Sequence, residues 1–319
     1  MKAHGTWQLA LGTFSLMLQT SHPTPLSEKN HPREFRSNIY IYPVLSRRSG
    51  GVSIGINLNP DKACNFDCIY CQVDRSKQPQ EFFVGLPKLL LELEAILRGL
   101  SAVGELWREP EFSALPSGKR HIADIAFSGD GEPTTFKNFF EVVRACVELK
   151  ERVEAPGSMS KVVVISNATG FERPEVKLAF EFLDAHNGEI WAKLDAGTAD
   201  YFKLIDATDF PFDKVLELIA ACAKIRPTVI QSCFMRVRGA GPSAAEIDAF
   251  VGRLKNIVAC GGKIARVQIY TVARNPALSI VSSLSDEEIK AIAAKVNAET
   301  GLPAECFFGS VPEGRGLMG

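Results

Sequence analysis

The sequence predicts an α/β fold built on a parallel sheet, and two observations support this prediction. Short runs rich in β-branched residues alternate with longer amphipathic runs between residues 38 and 300. Unusual polar residues follow the ends of these predicted strands, which is where parallel β/α folds bind their ligands. Such alternation favours βαβ units over a sandwich, and six strands are too few for a closed eight-stranded barrel.

The predicted elements follow one another in a regular order. Strands are predicted at residues 52–58, 122–127, 162–166, 190–194, 228–234 and 265–272. Helices are predicted at residues 86–100, 136–152, 172–185, 212–222 and 244–260. Ser243 with Glu246, and Ser285 with Glu288, have capping-box spacing and mark the starts of the last two helices.

The chain has 319 residues, and 46% of them are hydrophobic, which is enough to bury a full core. The formal net charge of −1 gives no bulk electrostatic attraction to nucleic acid. No run reaches the roughly 18 apolar residues of a membrane span, so we expect no membrane insertion. The eight cysteines lack the spacing of a disulfide framework, which indicates a cytoplasmic location.

The chain divides into three predicted regions. Residues 1–35 are expected to form a disordered N-terminal extension, since their apolar run has only Lys2 before it and a linker-like segment after it. Residues 36–300 are expected to form the core domain. Residues 301–319 are expected to be a C-terminal tail.

Three cysteines, Cys64, Cys68 and Cys71, lie within eight residues directly after the first predicted strand. Thiolates are the usual ligands of iron–sulfur clusters, and three of them would leave one iron of a four-iron cube open. A structural zinc site would need a fourth ligand, and the next histidine is His121. A disulfide would strain so short a loop and leave one thiol over. We therefore interpret the loop as a cluster site.

The Cys-x3-Cys-x2-Cys spacing, with Tyr70 before the last cysteine, resembles the hallmark of the radical S-adenosylmethionine (radical SAM) enzymes. The resemblance implies that Cys64, Cys68 and Cys71 hold a 4Fe-4S cluster whose fourth iron binds SAM. It also implies an open (βα)6 partial barrel of the TIM type. A one-electron donor of the flavodoxin or ferredoxin type is the expected partner.

The segment after the second predicted strand resembles the Gly-Gly-Glu-Pro motif of the same family, which receives the amino group of SAM. Its residues are Gly129, Asp130, Gly131, Glu132 and Pro133. Asp130 stands where the family has the first glycine of the motif. Aspartate tolerates left-handed backbone geometry better than most residues, so the motif remains plausible.

The next two predicted strands end in further candidate cofactor residues. Ser166 and Asn167 resemble a Thr-Asn-Gly turn that approaches SAM in the family, although an ordinary Asx turn has the same composition. Lys193 and Asp195 share a face of their strand by alternation. Lys193 could pair with the SAM carboxylate and Asp195 could bind ribose or substrate, or the two could pair with each other.

The last two predicted strands offer candidates for the substrate cavity. Pairs of residues two apart share a face, namely Gln231 with Cys233 and Gln268 with Tyr270. Three arginines that follow these strands could clamp a carboxylate or phosphate, or could be ordinary surface residues: Arg236, Arg238 and Arg274.

Within the family, the run from Gly55 to Pro60 is most similar to the wyosine-synthase-like branch, some members of which act on tRNA. No second cysteine set precedes Cys64, and the composition shows no basic surface, so a tRNA substrate is not favoured. The resemblance implies an enzyme that cleaves SAM reductively to a 5′-deoxyadenosyl radical, which takes hydrogen from an unknown substrate. The alternatives are a non-catalytic iron–sulfur protein for electron transfer or sensing, and an RNA-binding module.

Overall fold

The computed structural model of the chain describes residues 25–28, 35–76, 78–79, 81–155, 157–158, 160–274, 276 and 278–309. Most of the predicted N-terminal extension, and the last ten residues of the predicted tail, lie outside the described residues. Within the extension, Leu26 is buried in the core and its N–H donates to the Glu111 carbonyl at 2.9 Å. This piece of the extension therefore packs on the domain.

The described residues form ten β-strands. In chain order these are β1 (Ile41–Leu45), β2 (Val52–Ile56), β3 (Ile122–Phe127), β4 (Lys161–Ser166), β5 (Gly188–Lys193), β6 (Thr228–Cys233), β7 (Met235–Val237), β8 (Ile264–Tyr270), β9 (Val281–Ser283) and β10 (Ala304–Phe307). Eight of them form one sheet in the order β1-β2-β3-β4-β5-β6-β8-β10, parallel throughout except for β1, while β7 and β9 form a separate antiparallel pair. All six predicted strands are present.

The helices lie between the parallel strands, as predicted. They are α1 (Leu86–Gly99), α2 (Pro110–Ser113), α3 (Phe139–Val153), α4 (Pro174–Asp184), α5 (Ala199–Asp206), α6 (Phe212–Ile225), α7 (Ala244–Ala259) and α8 (Asp286–Thr300). The side chain of Ser285 accepts from the Glu288 N–H and that of Glu288 from the Ser285 N–H, which completes the predicted capping box of α8. Among the described residues, no helix is both long and apolar enough to cross a bilayer.

The strands of the large sheet follow chain order without reversal, so the sheet is wound in one direction only. Neighbouring helices contact each other, α1 with α3, α3 with α4, α6 with α7 and α7 with α8, and so form an outer layer. Right-handed crossovers of this kind place all helices on one face and curve the sheet around the other. The result is the open partial barrel that the resemblance implied.

The two faces of the sheet differ in chemistry. Strand residues that face the helices, such as Ile54, Ile125 and Val164, belong to the main hydrophobic core. On the concave face, Val163 and Trp191 belong to a separate and much smaller apolar cluster. Because the concave face is not filled by apolar side chains, it leaves room for a site at the carboxyl ends of the strands.

Six of the observed strands and helices were not predicted, namely β1, β7, β9, β10, α2 and α5. β1 pairs antiparallel with β2, and the buried Glu92 carboxylate of α1 accepts hydrogen bonds from three N–H groups at its start. β10 pairs parallel with β8, so residues 304–307 of the predicted tail belong to the sheet edge. These edge strands are only five and four residues long. The helix α5 spans eight residues, too few for a clear helical period.

Candidate active site

The residues predicted for the site meet at one cavity of about 280 Å³ on the concave face of the sheet. Nine of the twelve predicted cluster and cofactor residues line it: Cys64, Cys68, Cys71, Gly129, Asp130, Gly131, Glu132, Asn167 and Lys193. The other three, Pro133, Ser166 and Asp195, lie beside them without lining the cavity. Residues that follow four different strands thus converge on one place.

The cysteine loop leaves the carboxyl end of β2 and is tied to the body of the protein. The Ile69 N–H donates to the Ile205 carbonyl at 2.9 Å, and Asn65 bonds Asn167 at 2.9 Å and Thr169 at 2.8 Å through its side chain. Within the loop, the Cys71 N–H donates to the Cys68 carbonyl at 2.9 Å. These bonds fix the backbone that carries the three thiols.

The three thiols are free and partly buried. Burial raises the pKa of Cys64, and burial together with the nearby Asp206 carboxyl raises the pKa of Cys68 well above its ordinary value. A bound cation reverses this tendency, because a coordinating thiol is deprotonated by the metal. Cys64 and Cys68 would therefore ionise more readily beside a bound positive centre.

The donor set fits an iron–sulfur cluster better than a single ion. Over the part of the chain that the structure describes, no three His, Cys, Asp or Glu side chains surround one metal-ion position. A cube distributes its three thiolates over three different irons, so it needs sulfurs around a shared space rather than around a point. Cys64, Cys68 and Cys71 border the same cavity, which meets that requirement.

The loop after β3 packs directly against the cysteine loop at Gly131. A Cβ atom built on Gly131 would lie 2.0 Å from the Ala63 carbonyl oxygen and 2.7 Å from the Asn59 side chain. No real Cβ makes such a contact with backbone, so glycine is required here by close approach. One residue earlier, Asp130 accepts from the Asn57 amide group at 2.8 Å, and its N–H donates to the Asn57 Oδ1 at 3.2 Å.

Glu132 is 4% exposed, and its carboxylate joins two strand ends. Oε1 accepts from the Thr134 N–H and hydroxyl and from the Ser166 hydroxyl at 2.7 Å, while Oε2 accepts from the Asn167 N–H at 2.7 Å. Burial raises the pKa of Glu132, and these donors oppose that shift. Glu132 therefore borders the cavity and also holds the turn at Ser166 and Asn167 in place.

At the end of β5, Lys193 and Asp195 pair with each other, with Nζ 3.0 Å from Oδ2. Lys193 also donates to the Tyr270 hydroxyl at 2.9 Å, and Asp195 accepts from the Tyr70 hydroxyl at 2.6 Å and the Cys233 N–H at 2.7 Å. Burial alone lowers the pKa of Lys193, but the adjacent carboxylate raises it well above its ordinary value. Asp195 thus links the cysteine loop, through Tyr70, to a charged lysine.

Lys193 lines the cavity and retains donor capacity. An ammonium has three N–H donors, and the contacts of Lys193 with Asp195 and Tyr270 use two of them. Its Nζ also lies 5.0 Å from the Tyr70 ring centroid and 5.4 Å from that of Tyr270. The pair predicted as the alternative is therefore formed, and Lys193 still has an N–H to offer an anionic ligand.

The predicted arginine clamp is not formed. Arg236 pairs with Glu288 of α8 at 2.7 Å, and Arg238 is in a turn where its N–H donates to the Ile280 carbonyl. Neither lines the cavity, whereas Arg274 does. Of the residues predicted for the substrate cavity on the last two strands, Gln231, Cys233 and Tyr270 line the cavity, whereas Gln268 does not and accepts from Gln231 at 3.1 Å.

Several residues of the site were missed by sequence reasoning. Asp206, the last residue of α5, is 3% exposed and accepts from the Cys68 thiol at 3.4 Å. Burial, with Asp195 nearby, raises the pKa of Asp206 well above its ordinary value. Arg48, Asp124 and Trp191 also line the cavity. None of these residues belongs to a motif, and Asp206 and Arg48 fall next to elements that were not predicted.

No family model matches the sequence. The chain is 25% identical over 278 residues to GTPase Obg of Brachyspira hyodysenteriae, which covers 85% of this chain and 35% of that protein. It is 25% identical over 249 residues to a UPF0026 protein of Helicobacter pylori strain 26695, which covers 77% of this chain and 70% of that protein. The chain thus spans about a third of the length of the first relative. The sequence has no Gly-x4-Gly-Lys-Ser/Thr phosphate loop, so the GTPase name is not carried over.

The solved structures that are similar to this chain include a methyltransferase and TYW1. A radical SAM methyltransferase from Sphaerobacter thermophilus matches with a TM-score of 0.56 at 13% identity, over 84% of this chain and 69% of that one. A structure of TYW1 with a lysine-pyruvate adduct bound matches with a TM-score of 0.49 at 14% identity, over 83% and 85% of the two chains. The first likeness shows that this chain has the fold of a radical SAM enzyme. The fold that the resemblance implied is thereby confirmed.

Proposed function

We propose that this protein is a radical SAM enzyme in which Cys64, Cys68 and Cys71 hold a 4Fe-4S cluster. The observation that carries the proposal is the convergence of the three thiols with the Gly129–Glu132 loop, Asn167 and Lys193 on one cavity. These residues were selected from sequence motifs, and the fold brings them together from four strands. A chance cysteine cluster on a surface loop has no reason to share a cavity with the other motifs.

The cofactors would be held by distinct parts of the site. The three cysteines are the protein ligands of the cluster, and Glu132 and Lys193 are the charged side chains suited to the amine and carboxylate of SAM. When bound, the cluster would supply the single electron that cleaves a C–S bond of SAM, and SAM would supply methionine and the radical that abstracts hydrogen. Such chemistry belongs to the cofactors, and the protein binds and orients them.

The protein side chains have three roles in this proposal. Glu132 and Asn57 hold the strand-end loops in register, so that their carbonyl groups and side chains face the cavity. Asp195 keeps Lys193 charged and positions it beside Tyr70 of the cysteine loop. The aromatic rings of Tyr70, Trp191 and Tyr270 line the cavity and reduce its access to water. We further propose a flavodoxin- or ferredoxin-type electron donor, since one electron is needed at a time.

Anaerobic reconstitution tests the ligand assignment. The wild-type chain should retain about four irons and four sulfides, and dithionite should give the electron paramagnetic resonance signal of a reduced 4Fe-4S cluster. The variant Cys68→Ala should lose most of this iron. Cys260→Ala is the matched control, because Cys260 is an exposed free cysteine outside the loop. Equal iron retention in the two variants would refute the assignment.

The main alternative is a non-catalytic iron–sulfur protein for electron transfer or sensing. It shares the cluster with the proposal but has no use for a SAM site. A reconstituted protein that holds its cluster yet neither binds nor cleaves SAM would favour this alternative. The elaborate hydrogen bonding of Glu132 beside the cavity supports the enzyme over the carrier.

A further inference from the structure

Arg48 lines the cavity from the segment that precedes β2, whereas the cysteine loop lines it from the segment that follows β2. Arg48 is in the turn between the antiparallel strands β1 and β2, so it precedes the amino end of β2. The cysteine loop follows the carboxyl end of the same strand. Because β2 has five residues, these two features are separated along the strand by roughly 16 Å. Both nevertheless line the one cavity.

Arg48 carries a charge without an acidic partner. Among the described residues, no carboxylate oxygen lies within 4.0 Å of the Arg48 guanidinium, and the Arg48 side chain forms no hydrogen bond. Its Cζ lies 5.0 Å from the ring centroid of Tyr270 and 5.9 Å from that of Trp191. The neighbouring cations are partnered, Lys193 by Asp195 and Arg266 by Glu189. A guanidinium has five N–H donors and stays charged, so Arg48 can donate hydrogen bonds to an anion in the cavity.

Arg48 interacts electrostatically with the Asp124 carboxyl, which is hydrogen-bonded to another residue. The Asp124 carboxyl, 2% exposed, accepts from the Ser53 hydroxyl. Burial is the largest influence on Asp124 and raises its pKa. Asp124 is thus bonded by Ser53, and no ion pair within 4.0 Å joins Asp124 to Arg48.

The turn that carries Arg48 is anchored at both edges of the open barrel. At its own edge the Ser46 N–H donates to the Gly51 carbonyl at 2.9 Å. The neighbouring Arg47 donates to the carbonyl of Phe308, which directly follows β10 at the other edge of the sheet. Arg48 is thus held at a fixed place in the cavity rather than on a loose surface loop.

We propose that Arg48 binds an anionic group of the substrate, a carboxylate or a phosphate. The inference rests on the proposed function, since it assigns the part of the cavity lined by the cysteine loop to the cofactors and the part lined by Arg48 to the substrate. A planar guanidinium matches either anion with two parallel hydrogen bonds. Tyr270 contacts Arg48 through its ring and Lys193 through its hydroxyl, so it connects the two parts. A substrate bound to Arg48 would extend along Tyr270 toward Lys193 and the cofactors.

Anion titration of the full chain tests the proposal without a substrate in hand. The probes are inorganic phosphate and acetate, titrated at constant ionic strength against chloride, with the fluorescence of Trp191 beside Arg48 as the signal. To isolate that signal, Trp7 and Trp107, the other two tryptophans, are replaced by phenylalanine in every protein compared. The anion that binds more tightly to wild-type Arg48 identifies the class of the substrate group.

The variant Arg48→Gln should raise the dissociation constant of the better anion at least tenfold. Arg48→Lys should give an intermediate value, since it keeps the charge and loses the paired hydrogen bonds, and it serves if the glutamine variant fails to fold. Arg144→Gln is the matched control, because Arg144 also lies over a ring, that of Phe140 at 5.8 Å, but on the exposed side of α3. Absence of saturable binding of both anions to the wild type, or equal affinity in wild type and both Arg48 variants, would overturn the proposal.

The outcome is separable from that of the proposed function. Normal SAM cleavage without an Arg48-dependent anion site would remove only this inference. An Arg48-dependent anion site in a chain that never assembles a cluster would keep the anion site and remove the radical SAM proposal.

Discussion

The Glu132 carboxylate accepts a hydrogen bond from the Asn167 N–H at 2.7 Å, and this contact joins the loop after β3 to the turn after β4. Both residues line the same cavity as the cysteines. The sequence predicts that Glu132 faces the amino group of SAM. In the structure its carboxylate also holds two strand ends together by hydrogen bonds. Its replacement should therefore affect both folding and cofactor binding.

Glu132→Gln should lower the free energy of unfolding by about 1–3 kcal/mol, because an amide N–H₂ would face N–H and hydroxyl donors that now bond a carboxylate. Urea denaturation of the apoprotein measures this change. Glu181→Gln, at an exposed position of α4, is the control and should change stability little. Equal stability of the two variants would mean that the carboxylate does not hold the two loops.

Lys193→Ala should weaken SAM binding to the reconstituted protein roughly ten- to a hundredfold, as expected for loss of a charge-assisted contact of ~1.5–3 kcal/mol. Iron content should stay at the wild-type level, since Lys193 contacts no cysteine sulfur among its described partners. Isothermal titration calorimetry provides the measurement, and Lys203→Ala on the exposed side of α5 provides the control. Unchanged SAM affinity would reassign Lys193 to substrate or to a structural pair with Asp195.

Gly131→Ala should reduce the iron retained after reconstitution, because its Cβ would lie 2.0 Å from the Ala63 carbonyl oxygen next to Cys64. That oxygen belongs to the backbone, so the cysteine loop itself would have to move. Gly118→Ala is a suitable control, since its Cβ would meet no atom within 4 Å. Full iron retention in Gly131→Ala would show that the loop tolerates the displacement.

Stability should fall in acid partly through Glu189. Burial opposes ionisation of this carboxyl, but hydrogen bonds from Arg266, Lys161 and Trp191 lower its pKa from 4.5 to about 2. Because the folded-state pKa lies below the unfolded one, the stabilisation is present above pH 4.5 and is lost as the pH falls toward 2. Unfolding free energies of the apoprotein and of Glu189→Gln, measured across this range, should converge as the pH falls; parallel curves would contradict this.

The central strands could be predicted from the sequence because each is a short run with β-branched or aromatic residues that lies between longer helical patterns. The prediction for β3, residues 122–127, coincides with the observed strand. The edge strands could not be predicted in the same way. β1 is apolar, but Pro43 within it argues against a strand. β10 is partly exposed along its whole length and so lacks a strong hydrophobic pattern.

The residues of the site also differ in how well the sequence predicts them. Cys64, Glu132 and Asn167 belong to compact motifs, and the rule that ligands bind at the carboxyl ends of parallel strands was enough to bring them together. Arg48 and Asp206 carry no local signal, because each reaches the site through an edge hairpin or a short helix. Arg236 was predicted for the site because it follows a central strand, but it forms an ion pair with Glu288 instead. Sequence adjacency to a strand end does not determine where a long side chain points.

The most direct test of the central claim is the conversion of SAM by the reconstituted protein under strict anaerobiosis. After reduction with dithionite, the wild-type chain should release 5′-deoxyadenosine and methionine, and Cys68→Ala should release neither, while Cys260→Ala should behave as the wild type. Product formation that depends on Cys68 would establish SAM cleavage at the cysteine loop. A wild-type protein with four irons per chain and no 5′-deoxyadenosine above the Cys68→Ala background would contradict the account.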